Sequence, residues 1–226
     1  MSTSQQEVRI PEAGVSTEQV PNPTVAVVPD PTVADPGPLG LAAFAATTFM
    51  LSVFNAKLMK PPTLEAVVLP FALFYGGIAQ LLAGMWEFKK ANTFGALAFS
   101  SYGAFWLTFW YLLTTVAPKL PPADAHKAVG LYLLTWTIFT AYMFVGTWRI
   151  NGALALVFGV LLVTFALLAY GNWGQHASVV KLGGYCGILT AFLAWYTSFA
   201  GMLTATWGRV VLPVFPLAPG ARPVKR

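Results

Sequence analysis

The 226-residue chain is 57% hydrophobic and only 9% charged, against the roughly 25% charged residues of ordinary soluble domains. A water-soluble fold of this length could not hide that much apolar surface, so an integral membrane protein is the expectation. The net charge of +5 is no nucleic-acid signal, because the basic residues stand singly at the ends of apolar runs, where lipid headgroups lie.

Residues 1–34 contain Pro11, Pro21, Pro23, Pro29 and Pro31, two copies of PTVA and no apolar period. They read as a disordered tail; without a basic start and an apolar core they do not form a secretory signal. A bilayer core takes about 20 apolar residues per helix. Six segments meet that length approximately: residues 39–56, 66–86, 93–117, 128–148, 152–170 and 182–207, none with Asp, Glu, Lys or Arg. No stretch shows the strict alternation of a membrane strand, so the fold class is an all-α membrane protein, with a six-helix domain over 35–212. Trp86, Trp148, Trp173 and Trp207 sit at span ends, as an interfacial belt requires. The stretch Glu87 to Asn92 reads as a short turn, with Thr93 opening the third helix. The last 14 residues, PVFPLAPGARPVKR (213–226), are a second proline-broken tail.

One side of this topology collects Lys89, Lys90, Arg149, Arg209, Arg222, Lys225 and Arg226; the other collects Lys57, Lys60, Lys119, Lys127 and Lys181. Seven against five places both termini in the cytoplasm of a cell-membrane protein by the positive-inside rule.

The chemistry of catalysis is missing from the pattern. No GxxxxGK loop appears, no carboxylate or cysteine cluster lies near His126 or His176 to make a metal site, and no serine hydrolase motif assembles. Cys186 is the single cysteine, which excludes an intrachain disulfide. The expectation is a non-enzyme without metal or cofactor. The spans instead hold uncharged polar groups: Thr47 and Thr48 in the first, Gln80 in the second, Ser100, Ser101 and Tyr102 in the third, and Thr135, Thr137 and Thr140 in the fourth. Gly76, Gln80 and Gly84 recur every four residues and share one helix face. That face serves either close helix packing or a pore wall with one hydrogen-bonding side chain, and Gly183 with Gly187 marks a helix or subunit contact. Thr47, Gln80, Asn92, Thr93 and Ser101 are the pathway candidates. A conduit for urea, amides or ammonia, or a membrane scaffold without transport, are the competing readings.

Three stretches carry a family resemblance: DPGPLGLAAF (35–44), FYGGIAQLLAGMWEFKKANTFGALAFSSYGAFW (74–106) and LLVTFALLAYGN (161–172). They closely resemble the acetate uptake transporter family, which includes bacterial acetate/succinate–proton transporters and fungal acetate and ammonia-export relatives. The likeness spans about residues 35–213. It implies six helices per protomer, a ring-shaped homohexamer with a pathway in each protomer, and movement of acetate, succinate and related short carboxylates with protons or through a channel. The resemblance assigns a constriction to Phe44, Tyr102 and Leu161. It also assigns an entry motif, NPAPLGL in the family, to Asp35, Pro36, Pro38 and Gly40; here Asp35 and Gly37 replace its asparagine and alanine. Aspartate can keep asparagine's role of capping the first helix. With no Lys or Arg in the expected spans, a dehydrated carboxylate is costly. The path must therefore hydrogen-bond the anion or pass the neutral acid.

Overall fold

The computed structural model describes residues 33–217; nearly all of the expected N-terminal tail and residues 218–226 of the C-terminal one lie outside that range. Among the described residues six helices are long and apolar enough to cross a membrane: α1 (Gly37–Asn55), α2 (Pro62–Lys89), α3 (Thr93–Lys119), α4 (Pro122–Thr147), α5 (Gly152–Trp173) and α6 (Ala177–Trp207). The chain is a multi-pass, all-helical membrane protein, as its composition requires. Large apolar side chains such as Phe74, Ile138, Leu156 and Phe192 stay exposed on the outside of the bundle, where lipid takes the place of a protein core.

The helix ends follow capping chemistry more closely than hydropathy. Pro38 lies in the first turn of α1, where its missing N–H costs nothing, and the Gly37 N–H donates to Asp35 Oδ1 at 3.0 Å. The second span was expected at 66–86, but α2 starts at Pro62 and continues to Lys89. Its Phe71–Ala79 stretch is π-helical, directly after Pro70, whose ring cannot donate to the ladder. Ala91 ends the helix in the left-handed region at φ 55°. The Asn92 N–H then reaches back to the Glu87 carbonyl at 3.0 Å, a Schellman closure.

This corrects the reading of residues 87–92 as a turn free of the spans. Glu87 belongs to α2 and is only 1% exposed. Hydropathy ended the span three residues early, at Trp86 rather than Lys89, because a carboxylate beside two lysines looks like a solvated loop.

Helix α1 packs against α6, α6 against α5, α5 against α4, and α2 against α3. Gly183 meets the Leu168 side chain, Gly184 meets the backbone of Ala56, and Gly187 meets Ser52. The glycine motif of α6 therefore serves contacts between helices of one protomer. Aromatic rings from α3, α4 and α5, among them Tyr102, Phe105, Phe158 and Phe165, fill the centre. Beyond α6 the chain folds back over the start of α5. The Gly152 N–H donates to the Phe215 carbonyl at 2.8 Å, the Ala153 N–H to that of Val214 at 3.2 Å, and the Leu217 N–H to that of Ile150 at 3.1 Å. The Tyr196 hydroxyl anchors the same segment through the Pro213 carbonyl at 2.8 Å.

Candidate functional site

Asn92 builds the lip of the site because it works for two helices at once. It follows the Schellman turn of α2 and caps α3, its Oδ1 accepting the Gly95 N–H at 3.1 Å. That bond fixes which end of the amide faces Glu87: Nδ2 donates to Glu87 Oε2 at 2.8 Å. Two glycines let the carboxylate fit. A methyl group at Gly95 would lie 2.8 Å from Glu87 Cδ, and one at Gly37 would lie 3.6 Å from Glu87 Oε1. Glu87 is thus clasped between the first turns of α1 and α3. Beside it, Lys90 Nζ pairs with Asp35 Oδ1 at 2.8 Å, joining the end of α2 to the start of α1.

These groups open onto a cavity of about 220 Å³ between α1, α2, α3 and α5. Phe44, Tyr102 and Leu161, from three different helices, all line it and are 3–4% exposed. The Phe44 and Tyr102 rings lie 5.6 Å apart. Gln80 lines the same cavity at 1% exposure, and its Oε1 is buried without a hydrogen-bond partner. The rest of the wall is apolar, with Leu41, Phe99, Val157 and Phe158 among its residues.

The shared face of Gly76, Gln80 and Gly84 turns out to do both jobs. Gly76 packs against Thr47 and Trp106, and Gly84 against Ser100, while Gln80 between them faces the cavity. The face continues to Glu87, seven residues after Gln80.

The Tyr102 hydroxyl lies 2.9 Å from Thr140 Oγ1. Thr140 has a single proton, and it goes to the Trp136 carbonyl at 2.7 Å. Tyr102 is therefore the donor to Thr140. Five rings, of Phe44, Trp136, Phe139, Phe158 and Phe165, surround the phenol at centroid distances of 5.2–6.5 Å.

Of the candidates drawn from sequence, Asp35, Phe44, Gln80, Asn92, Tyr102 and Leu161 come together on this cavity. Thr47, Thr93, Ser101, Pro36, Pro38 and Gly40 are not among its lining residues. Thr47 is fully buried and donates to the Ala43 carbonyl at 2.9 Å, within α1. Thr93 is exposed at the start of α3 and Ser101 half-buried. Pro36 is buried, and Gly40 packs against the Phe99 ring. Pro38 lines a separate groove of about 400 Å³ between α1 and α6. Glu87, Lys90 and Thr140 were missed. The first two were hidden in the presumed turn, and Thr140 looked like its neighbours Thr135 and Thr137.

The chain is 42% identical over 202 residues to Accumulation of dyads protein 2 of Saccharomyces cerevisiae, covering 87% of this chain and 71% of that protein. It is 42% identical over 184 residues to the succinate-acetate/proton symporter SatP of Escherichia coli K12, covering 80% of this chain and 95% of the relative. The solved structure of the bacterial acetate channel SatP superposes with a TM-score of 0.74 at 41% identity, over 80% of this chain and 99% of that one. Residues 18–219 match the family described as GPR1/FUN34/yaaH, and with a match of that extent the chain belongs to the GPR1/FUN34/yaaH family.

Proposed function

We propose that the protein carries acetate and related short carboxylates, succinate among them, together with protons across a cell membrane. The path runs through the cavity of each protomer, with Phe44, Tyr102 and Leu161 as its constriction and the Asp35–Lys90 pair at its mouth. The observation that carries this reading is convergence. Three large side chains chosen by resemblance from separate stretches meet on one cavity, which also holds the unpartnered Gln80 oxygen. The 42% identity to a succinate-acetate/proton symporter supports the substrate class. In this reading the protomers assemble as the hexameric ring that the family resemblance implies, and the basic count favours cytoplasmic termini, so that the mouth opens inward.

Apolar walls exclude water and hydrated ions, and a narrow aromatic neck admits a methyl group more readily than a longer chain. No metal or cofactor enters the scheme, and catalysis is not part of it. Among the described residues no group of three or more His, Cys, Asp or Glu side chains is placed to bind a metal. A conduit for ammonia or amides is the second reading, favoured by 40% identity to Ammonia transport outward protein 2 of Saccharomyces cerevisiae.

The test is uptake of labelled acetate and of a longer monocarboxylate into vesicles holding the purified chain, against protein-free vesicles. Acetate should be preferred, and Phe44→Ala or Leu161→Ala should shift the ratio toward the longer acid. An unchanged ratio in both folded variants removes the constriction. Uptake of ammonia or amides without acetate replaces the substrate.

A further inference from the structure

Asp35 carries a charge that its place in the fold does not need. Its Oδ1 accepts the Gly37 N–H at 3.0 Å and so caps α1, a job that asparagine, the residue of the family motif at this position, does equally well. The same oxygen takes the Lys90 ammonium at 2.8 Å, with the Asp35 and Lys90 side chains 45% and 29% exposed. An ion pair this open to water holds two helices together only weakly. What the charge does change is the electrostatics of the mouth.

Glu87 adds a second carboxyl group there. A methyl group on Gly37 would lie 3.2 Å from Asp35 Oδ1 and 3.6 Å from Glu87 Oε1, so both acidic side chains crowd one glycine at the start of α1. Among the described residues Lys90 is the one cation that lines the cavity. The lining residues from α5, and those from α6 and the returning segment in the neighbouring groove, carry no charge. The mouth therefore has no net positive charge, whether Glu87 is ionised or protonated. With asparagine at position 35 it would have one unit more.

We infer that Asp35 sets the charge selectivity of the path: it makes the mouth hold back dianions, so that monocarboxylates are carried in preference to dicarboxylates such as succinate. Coulomb energy is proportional to the charge of the passing ion. One unit less of positive charge at the mouth thus costs a dianion twice what it costs a monoanion. At about pH 7.5 a dicarboxylate whose groups titrate in the usual carboxylate range carries both charges. The inference rests on the carboxylate reading above and ranks the substrates within it.

The test compares succinate with its half-amide, succinamate, which has the same length and one charge less, so that the width of the neck cancels. Uptake of both labelled compounds, and of acetate, is measured into vesicles of the full chain, with protein-free vesicles subtracted. Asp35→Asn keeps the cap and leaves Lys90 unopposed. It should raise the succinate-to-succinamate ratio about fivefold, the equivalent of about 1 kcal/mol for one unit charge at about 4 Å in water. Raising the salt from about 0.1 M to about 1 M should shrink that gain, because the Debye length falls from about 10 Å to about 3 Å. Combining Asp35→Asn with Lys90→Gln removes both charges and restores the net charge of the mouth, so the ratio should return to that of the unaltered protein. An unchanged ratio in Asp35→Asn overturns the inference. A ratio that stays raised in the double variant overturns it as well, since the pair then acts as a latch between α1 and α2 and not through its charge. Should Asp35→Asn lose its helical circular dichroism, Lys90→Gln decides alone: it leaves Asp35 unopposed and should lower the ratio, and an unchanged or raised ratio overturns the inference. Absence of any protein-dependent acetate movement in the unaltered protein overturns the carboxylate reading itself, and this inference with it.

Discussion

The direction of the Tyr102–Thr140 hydrogen bond can be read from an asymmetry in stability. In Thr140→Val the phenol keeps its proton but loses the acceptor, at a residue only 3% exposed and ringed by aromatic side chains. An orphaned buried donor costs about 1–3 kcal/mol. In Tyr102→Phe, Thr140 still donates to the Trp136 carbonyl at 2.7 Å, so only the net value of one bond is lost, about 0.5–1.5 kcal/mol. For a chain of this size each kcal/mol moves the midpoint by about 2–4 °C. Thr140→Val should therefore melt roughly 2–12 °C lower. Adding Tyr102→Phe to Thr140→Val removes the orphan and should recover much of that loss, so a second substitution stabilises the first. The assay is thermal unfolding of the four proteins in one detergent, followed by circular dichroism, as a double-mutant cycle. If Tyr102→Phe costs more than Thr140→Val, or fails to rescue it, the direction assigned to the Tyr102–Thr140 bond is wrong.

Three further outcomes are expected. Ala91 holds φ 55° at the end of α2, a conformation that costs an L-residue about 1–2 kcal/mol, so Ala91→Gly should raise the melting midpoint; a fall would mean that the turn is not strained. Gly95→Ala places a methyl group 2.6 Å from Asn92 Nδ2 and 2.8 Å from Glu87 Cδ. It should cost about 1–3 kcal/mol and abolish most acetate flux, and full flux in folded protein would show that the clasp around Glu87 is dispensable. Cysteines at Ala91, in the turn before α3, and at Ala123, in the first turn of α4, lie beyond opposite ends of α3 in a Cys186→Ser background; an impermeant thiol reagent should reach Ala123→Cys from outside and Ala91→Cys only after permeabilisation, and labelling of both from one side would refute the topology.

The six spans were legible because each is a long apolar run between polar breaks, and the bilayer sets its length. Their ends were less so. The start of α2 at Pro62 and its continuation through Glu87 depend on a tight first turn and a left-handed closure at Ala91, and neither leaves a mark in hydropathy. Gln80 and Asn92 stood out as polar residues in or beside apolar helices. Glu87 did not, although its place on the Gly76–Gln80–Gly84 face was a usable signal. Its burial comes from α1 and α3 closing over it, which is a tertiary fact. The same holds for Thr140: it bonds to its own helix four residues back, as Thr135 and Thr137 do, and only the position of Tyr102 across the bundle distinguishes it.

The segment that returns after α6 gives the cavity a mechanical support far away in sequence. The first turn of any helix carries N–H groups without acceptors, and in α5 these are met from two directions. Asn151 caps the Leu154 N–H from before the helix, while the Phe215 and Val214 carbonyls accept from Gly152 and Ala153 from outside it. Helix α5 supplies Leu154, Val157, Phe158 and Leu161 to the cavity. The stiffness of that wall is therefore set partly by five residues more than 50 positions downstream. A cut before Pro213 strips two acceptors from the root of α5 and loosens one side of the neck without altering a single residue that lines it.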